Sequence, residues 1–267
     1  YLELEEMTGR QSSLAPVYAP MAPERMARQE RRRLNLGSAP ARDVFALVEQ
    51  NGLCPWRFPV PRELEISGIF VFLEREQAAF LLINSLQPVD LQGLTAAHGY
   101  AHYLRHRYDG PVVDNPDIFI EDYLTLYPGK ERFAQAFAVD FLVPPSQLLE
   151  IIQRDIRPRR LNAEDVFYLK EYFGVSMLSM LQVLKRLDII SAGEFKAFQK
   201  LEKKTSFQAL FSSSSRRWPK TLKTRPVLSE RFISLVIDAL RIKKISVEKA
   251  ARLLYTKPDE LSSFLKA

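Results

Sequence analysis

Leu94-Thr-Ala-Ala-His98-Gly-Tyr-Ala-His102-Tyr-Leu-Arg-His106 holds all three histidines of the chain, four residues apart. That spacing puts them on one stripe of an α-helix, each about one turn above the last. Two imidazoles one turn apart can bind the same metal ion. Upstream, Gly68-Ile-Phe-Val-Phe-Leu73 and Ala78-Ala-Phe-Leu-Leu-Ile83 flank Glu74-Arg-Glu-Gln77 and read as a β-hairpin of buried strands. Before the hairpin, Asp43 caps a short helix, and Pro55, Pro59 and Pro61 mark a connection. Downstream, Asp90 caps the histidine helix and Asp109-Gly-Pro111 stops it. Val112 to Pro128 reads as loop with a short helix. Lys130 to Leu142 is a helix with Ala134, Phe137, Ala138 and Phe141 on one stripe, ended by Val143-Pro-Pro145, and an amphipathic helix follows from Leu148 to Ile156. This order implies an α+β fold. A small antiparallel β-sheet packs on the metal-binding helices, and a helical C-terminal region follows.

Metal-binding chemistry follows from the same spacing. Zinc proteases use His-Glu-x-x-His, in which the Glu beside the first His takes a proton from the hydrolytic water. Here the residue after His98 is Gly99, which cannot accept a proton. Glu131 stands in the first turn of the next helix, on the side that buries Ala134 and Ala138. Its carboxylate is therefore expected to point inward, where a metal is a good partner. A helix-start Glu favoured by the macrodipole is the plainer alternative. Asp114, Asp117 and Glu121 are weaker ligand candidates. Asp140 is half a turn out of phase and should face away. His106, two turns from His98, is expected to play a structural or capping part. Tyr100 and Tyr103 flank the site and read mainly as packing.

The chain has 267 residues, of which 46% are hydrophobic and 26% charged, enough for one large or two small domains. A single cysteine, Cys54, excludes a disulfide framework and a Cys-based zinc site within the chain. No apolar run has the length of a membrane span, and the acidic start, Tyr1-Leu-Glu-Leu-Glu-Glu, is no secretory signal. A cytoplasmic location is the expectation. The net charge of +6 suits nucleic acid or an acidic partner, and equally suits plain solubility.

Four regions follow. Residues 1–40 read as a leader or linker, with a basic helix at Glu24 to Arg33 that is solvated or touches phosphate or an acidic surface, and an upstream domain is expected before Tyr1. Residues 41–157 form the metal-binding domain. Residues 158–211 are helical, and Asp165 to Tyr172, Phe173-Gly-Val-Ser176 and Met177 to Leu187 look like a helix-turn-helix. Its second helix is apolar for a DNA reader and offers only Ser176, Ser179, Gln182, Lys185 and Arg186. Residues 212–267 comprise a polar, basic linker and a C-terminal helical unit, whose Arg241 to Lys244 turn is the best candidate there for phosphate contact.

Thr95-Ala-Ala-His-Gly-Tyr-Ala-His-Tyr-Leu-Arg-His106 and Glu131-Arg-Phe-Ala-Gln-Ala-Phe-Ala-Val-Asp-Phe-Leu-Val-Pro144 together resemble the ImmA/IrrE metallopeptidases. That family's pattern is roughly T-x-A-H-E-x-x-H-Y-x-x-H followed by E-x-x-A-N-x-F-A-x-x-L-L-M-P. Phe80-Leu-Leu-Ile-Asn84 is similar to its strand ending in Asn. The likeness runs from about Ala41 to Ile156 and more loosely to Leu187. It implies zinc held by His98, His102 and Glu131, a helix-turn-helix transcriptional repressor as the protein cleaved, and a DNA-binding character for the domain expected before Tyr1. Gln135 replaces an Asn, and Gly99 replaces the general-base Glu. The resemblance therefore implies an inactive or strongly impaired enzyme, in which Gly99→Glu is expected to restore cleavage. A substrate segment would add as a strand along the hairpin edge. The rival readings are a non-catalytic, DNA-associated regulator and an antitoxin-like binding protein.

Overall fold

Ala79, Leu81 and Ile83 are buried and their neighbours Ala78, Phe80 and Leu82 are not, the period of two expected of a strand with one face on a core. The computed structural model describes residues 1–115, 129–156, 160–202 and 226–261. Within these, a four-stranded sheet comprises β1 (Leu53–Phe58), β2 (Gly68–Leu73), β3 (Ala78–Asn84) and β4 (Val112–Asp114), in the order β1-β3-β2-β4. The β2–β3 pair is the expected hairpin, with Gly68 opposite Ile83 and Leu73 opposite Ala78. The α+β class holds, but the sheet is mixed, because β1 runs parallel to β3, with Leu53 opposite Ala79 and Phe58 opposite Asn84. β1 occupies the stretch read as a proline-rich connection. It lies at the sheet edge, where a proline such as Pro55 is tolerated.

On the hairpin's two sides, β1 covers β3 along its length and β4 covers Gly68 to Phe70 of β2. A substrate strand on the hairpin edge would therefore have Val71 to Leu73 of β2, or the outer side of β4, to pair with among the described residues. Asn84 ties the strand ends together. Its side-chain oxygen accepts from the Val60 and Leu86 amides, and its Nδ2 donates to the Ile66 carbonyl.

Just before β1 the chain forms α3 (Val44–Gln50), capped by the Asp43 side chain as expected. Its predecessors are α1 (Leu2–Thr8) and α2 (Pro23–Arg33). The histidine helix, α4 (Val89–Arg105), starts one residue before Asp90, which lies in its first turn instead of capping it. It packs on β2 and β3 through a nearly continuous buried surface that includes Leu94, Ala97, Ala101 and Leu104. Small residues at Ala96, Ala97, Gly99 and Ala101 let the helix approach the sheet closely. Helix α5 (Lys130–Leu142) crosses α4, and α6 (Pro145–Ile151) follows it, ending in a π-helical turn at Ile152–Ile156.

The region read as a leader is built into the same core. Met26 and Ala27 of α2 are fully buried, and α2 packs on α5. Two of the five arginines of α2, Arg31 and Arg33, have structural partners, while Arg25, Arg28 and Arg32 are exposed. Arg31 is buried and donates to the carbonyls of Phe141, Gly37 and Ala39, while Arg33 pairs with buried Glu30. For Arg31 these bonds take the place of the expected solvent or phosphate contact, and the exposed arginines keep the solvated face that the sequence suggests. Arg31→Ala would leave three carbonyls short of a donor. With bonds to a charged group worth about 1.5–3 kcal/mol each, we expect at least about 2 kcal/mol of destabilisation. A urea midpoint unchanged by the substitution would contradict this.

Helices α7 (Ala163–Phe173), α8 (Met177–Arg186) and α9 (Ala192–Glu202) share the main core through Val166, Leu169, Met180, Leu184 and Phe195. The last two helices, α10 (Glu230–Arg241) and α11 (Val247–Leu253), form a second, smaller core with Leu4 of α1. Phe232, Leu235 and Val236 are buried there, as their apolar pattern requires. Most of the polar linker, residues 212–225, lies outside the described residues, as do Asp117, Glu121 and Asp122. Among the described residues no helix is long and apolar enough to cross a membrane.

Candidate metal centre

Helix periodicity brings the first two candidate ligands together. His98 and His102 face the same side of α4, and their Nε2 atoms lie 3.1 Å apart. Glu131, in the first turn of α5, turns inward as its phase predicts. Its Oε2 is 3.1 Å from His98 Nε2 and its Oε1 is 3.5 Å from His102 Nε2. A fourth group comes from the sheet. Asp114, the last residue of β4, puts Oδ1 3.4 Å from His98 Nε2. One ligand atom from each of His98, His102, Asp114 and Glu131 lies within 4.8 Å of every other. Both histidines and Asp114 are almost wholly buried, and Glu131 is the residue through which the cluster meets solvent.

The electrostatics fit a cation. Burial alone would lower the His98 pKa, but Asp114 and then Glu131 outweigh it and hold the imidazole up to about 10. Burial likewise acts to raise the Glu131 pKa, and His102 and His98 overcome it, keeping the carboxyl well below its ordinary range. Without a metal, a proton on His98 balances the carboxylates beside it. A divalent ion could take over that role, with release of the proton. Both Asp114 oxygens are buried without a hydrogen-bond partner. A buried carboxylate in that condition calls for a counter-charge, so the donor set fits a divalent metal ion.

Gly99 lies on the side of α4 that meets the sheet. A Cβ built there would come within 2.6 and 2.7 Å of the two Leu81 methyl carbons and 3.2 Å of its Cγ. Leu81 is fully buried on β3. Glycine is thus matched to a close helix–strand contact, and the absent side chain has been replaced by packing. A glutamate at position 99 would therefore require the flexible end of the Leu81 side chain to move before it could act as a base.

The other candidates take structural places. His106 ends α4, stacks edge-on against Phe133 at 5.3 Å, and is held down to a pKa of about 4 by burial and by His102. Tyr100 donates to Glu30, and the Tyr103 hydroxyl accepts from the Ala15 amide, so both anchor the N-terminal region to α4 and away from the ligands. Asp140 faces away and pairs with Arg186. Gln135 is buried with neither amide atom partnered. In α8, Ser176 is the N-cap, Ser179 is buried, Lys185 lies over the Phe195 ring and Arg186 pairs with Asp140. Those four side chains are engaged in the fold, which weighs against α8 as a base-reading helix. Asp114 had been only a weaker candidate by sequence. Its signal is its strand partner, Gly68, which only the register reveals.

Residues 64–185 match the family model Peptidase_M78, described as an IrrE N-terminal-like domain. The matched stretch spans β2 through α8 and includes all four clustered residues. No curated protein matches the chain.

Proposed function

Because residues 64–185 are an IrrE N-terminal-like domain and the chain belongs to the ImmA/IrrE family, we propose that it is a zinc-binding, metallopeptidase-type protein directed at a helix-turn-helix transcriptional repressor. We further propose that its hydrolytic activity is strongly impaired as written. The convergence of His98, His102 and Glu131 on one buried point is the observation that carries this reading. Zinc bound there would polarise a scissile carbonyl and bring the pKa of water toward about 7.

The chain's own residues supply binding and orientation but no base in the family position. His98 and His102 present Nε2 from a helix fixed against the sheet. Glu131 is held ionised by those histidines and completes the charge. Gly99 leaves nothing to accept a proton, which typically costs about 10²–10⁴-fold in rate. A peptide in extended form would find main-chain partners on the edge of β4 that is unpaired among the described residues. The setting would be cytoplasmic gene control.

The reading is tested by metal analysis of the purified chain beside its His98→Ala variant, with a cleavage assay on a candidate repressor. One zinc per chain, lost in the variant, together with specific binding and slow cleavage of the repressor, is expected. No stoichiometric metal would refute it.

Gly99 packed on Leu81 favours a second reading, a regulator that binds its repressor partner without cutting it. In that case any DNA contact would fall to the exposed Arg241–Lys244 turn between α10 and α11. Reversing Lys243 and Lys244 to Glu should then weaken duplex binding and flatten its salt dependence. Duplex binding indifferent to the reversal would remove that role.

A further inference from the structure

The geometry points to Asp114 as a fourth protein ligand, so that His98, His102, Asp114 and Glu131 enclose the metal and leave no open position for substrate. This rests on the metal-binding reading above and goes beyond it, since the motif residues alone supply three ligands.

Four donors at about 2.0–2.1 Å from a common tetrahedral centre lie about 3.3–3.4 Å from one another. The His98 Nε2 atom lies 3.1 Å from His102 Nε2, 3.1 Å from Glu131 Oε2 and 3.4 Å from Asp114 Oδ1, the other Glu131 oxygen is 3.5 Å from His102 Nε2, and one donor atom from each of the four residues lies within 4.8 Å of the rest, a spread that a bound ion would draw in. Asp114 is 1% exposed, and neither of its carboxylate oxygens has a hydrogen-bond partner. A buried carboxylate that merely oriented a histidine or packed in the core would need other donors.

The sheet positions Asp114 for this role. The Ser67 amide donates to the Asp114 carbonyl, fixing the strand end. Asp114 stands opposite Gly68. A Cβ at Gly68 would lie 3.3 Å from Asp114 Oδ2 and 2.6 Å from the Thr95 methyl carbon, so glycine gives the carboxylate and α4 their room.

Zinc sites with four protein ligands are structural, whereas catalytic ones keep a position open. Gly99 and Asp114 then tell the same story: the base is gone and the substrate position is filled. The metal would clamp the edge strand β4 to α4 and α5, and so control the edge on which a partner segment would dock.

The test is titration of the full chain with Co²⁺ and Zn²⁺, beside Asp114→Asn, Asp114→Ala and His98→Ala, with folding checked by circular dichroism. The parent should show a tetrahedral Co²⁺ spectrum that added azide does not change. In Asp114→Ala the affinity should fall by more than about 100-fold, the upper end of what losing an outer-shell partner costs, and azide should shift the spectrum. Asp114→Asn, which keeps the shape, should also bind more weakly. Parent-like affinity in both Asp114 variants, or a parent spectrum that responds to azide, overturns the fourth ligand while leaving the three-ligand site standing. No metal bound by the parent overturns both.

Discussion

Saturating the metal-free protein with zinc should raise its melting temperature by about 8–16 °C, and a strong chelator should reverse the rise. A ligand at about 1,000 times its Kd stabilises the folded state by about 4.1 kcal/mol. A domain of about 150–250 residues gains about 2–4 °C per kcal/mol. The effect should be large because the cluster ties together three separate elements, α4, β4 and α5, whose ligands lie up to 33 positions apart. In the unfolded chain Glu131 is separated from His98 by a long flexible loop, and the preformed site is lost. His98→Ala and Glu131→Gln should abolish the shift while leaving the metal-free melting temperature within a few degrees of the parent. A rise of equal size in His98→Ala would mean that zinc binds elsewhere. Differential scanning fluorimetry at fixed protein concentration and stepped zinc concentration measures it.

What could be read from the sequence was what depends on local periodicity. The four-residue spacing of His98 and His102 defines one helical face without reference to the rest of the chain, and Glu131 follows from the phase of Ala134 and Ala138. Both came from patterns within single helices. What could not be read depends on partners far away in sequence. Leu53–Phe58 carries Pro55 and looks like a breaker, and it is a strand only because β3 pairs with it. Met26, Glu30 and Arg31 look like parts of a solvated basic helix until Tyr100, Phe141 and the chain around Gly37 surround them. Asp114 was one acid among several in a stretch with no visible period, and its register opposite Gly68 brings it to the histidines. Gly99 was legible as a missing base but not as a packing residue, because Leu81 lies 18 positions upstream.

That contact shapes the prediction for catalysis. The zinc-loaded parent should hydrolyse a genuine repressor partner very slowly, and Gly99→Glu alone should not rescue it. Adding bulk against Leu81 costs about 1–3 kcal/mol, only partly offset by the roughly 1 kcal/mol that a helical glycine costs relative to alanine. Gly99→Glu should therefore melt at or below the parent temperature. Leu81→Val removes the two methyl carbons that the new Cβ would strike while keeping a strand-forming residue, and should recover the lost stability. Activity needs one further change, because a general base has nothing to act on while Asp114 fills the position that a substrate would take. The combination Gly99→Glu, Leu81→Val and Asp114→Ala should raise the cleavage rate by about 10²–10⁴-fold over the parent, the range that general-base help supplies. Rates measured at saturating zinc, with metal content determined for each variant, separate a poorly loaded site from a poorly equipped one. Full cleavage by Gly99→Glu alone would show that Leu81 yields freely and that Asp114 does not block the metal. Vigorous cleavage by the parent itself would mean that another residue takes the proton, and Asp114, already within 3.4 Å of His98, would be the first to replace.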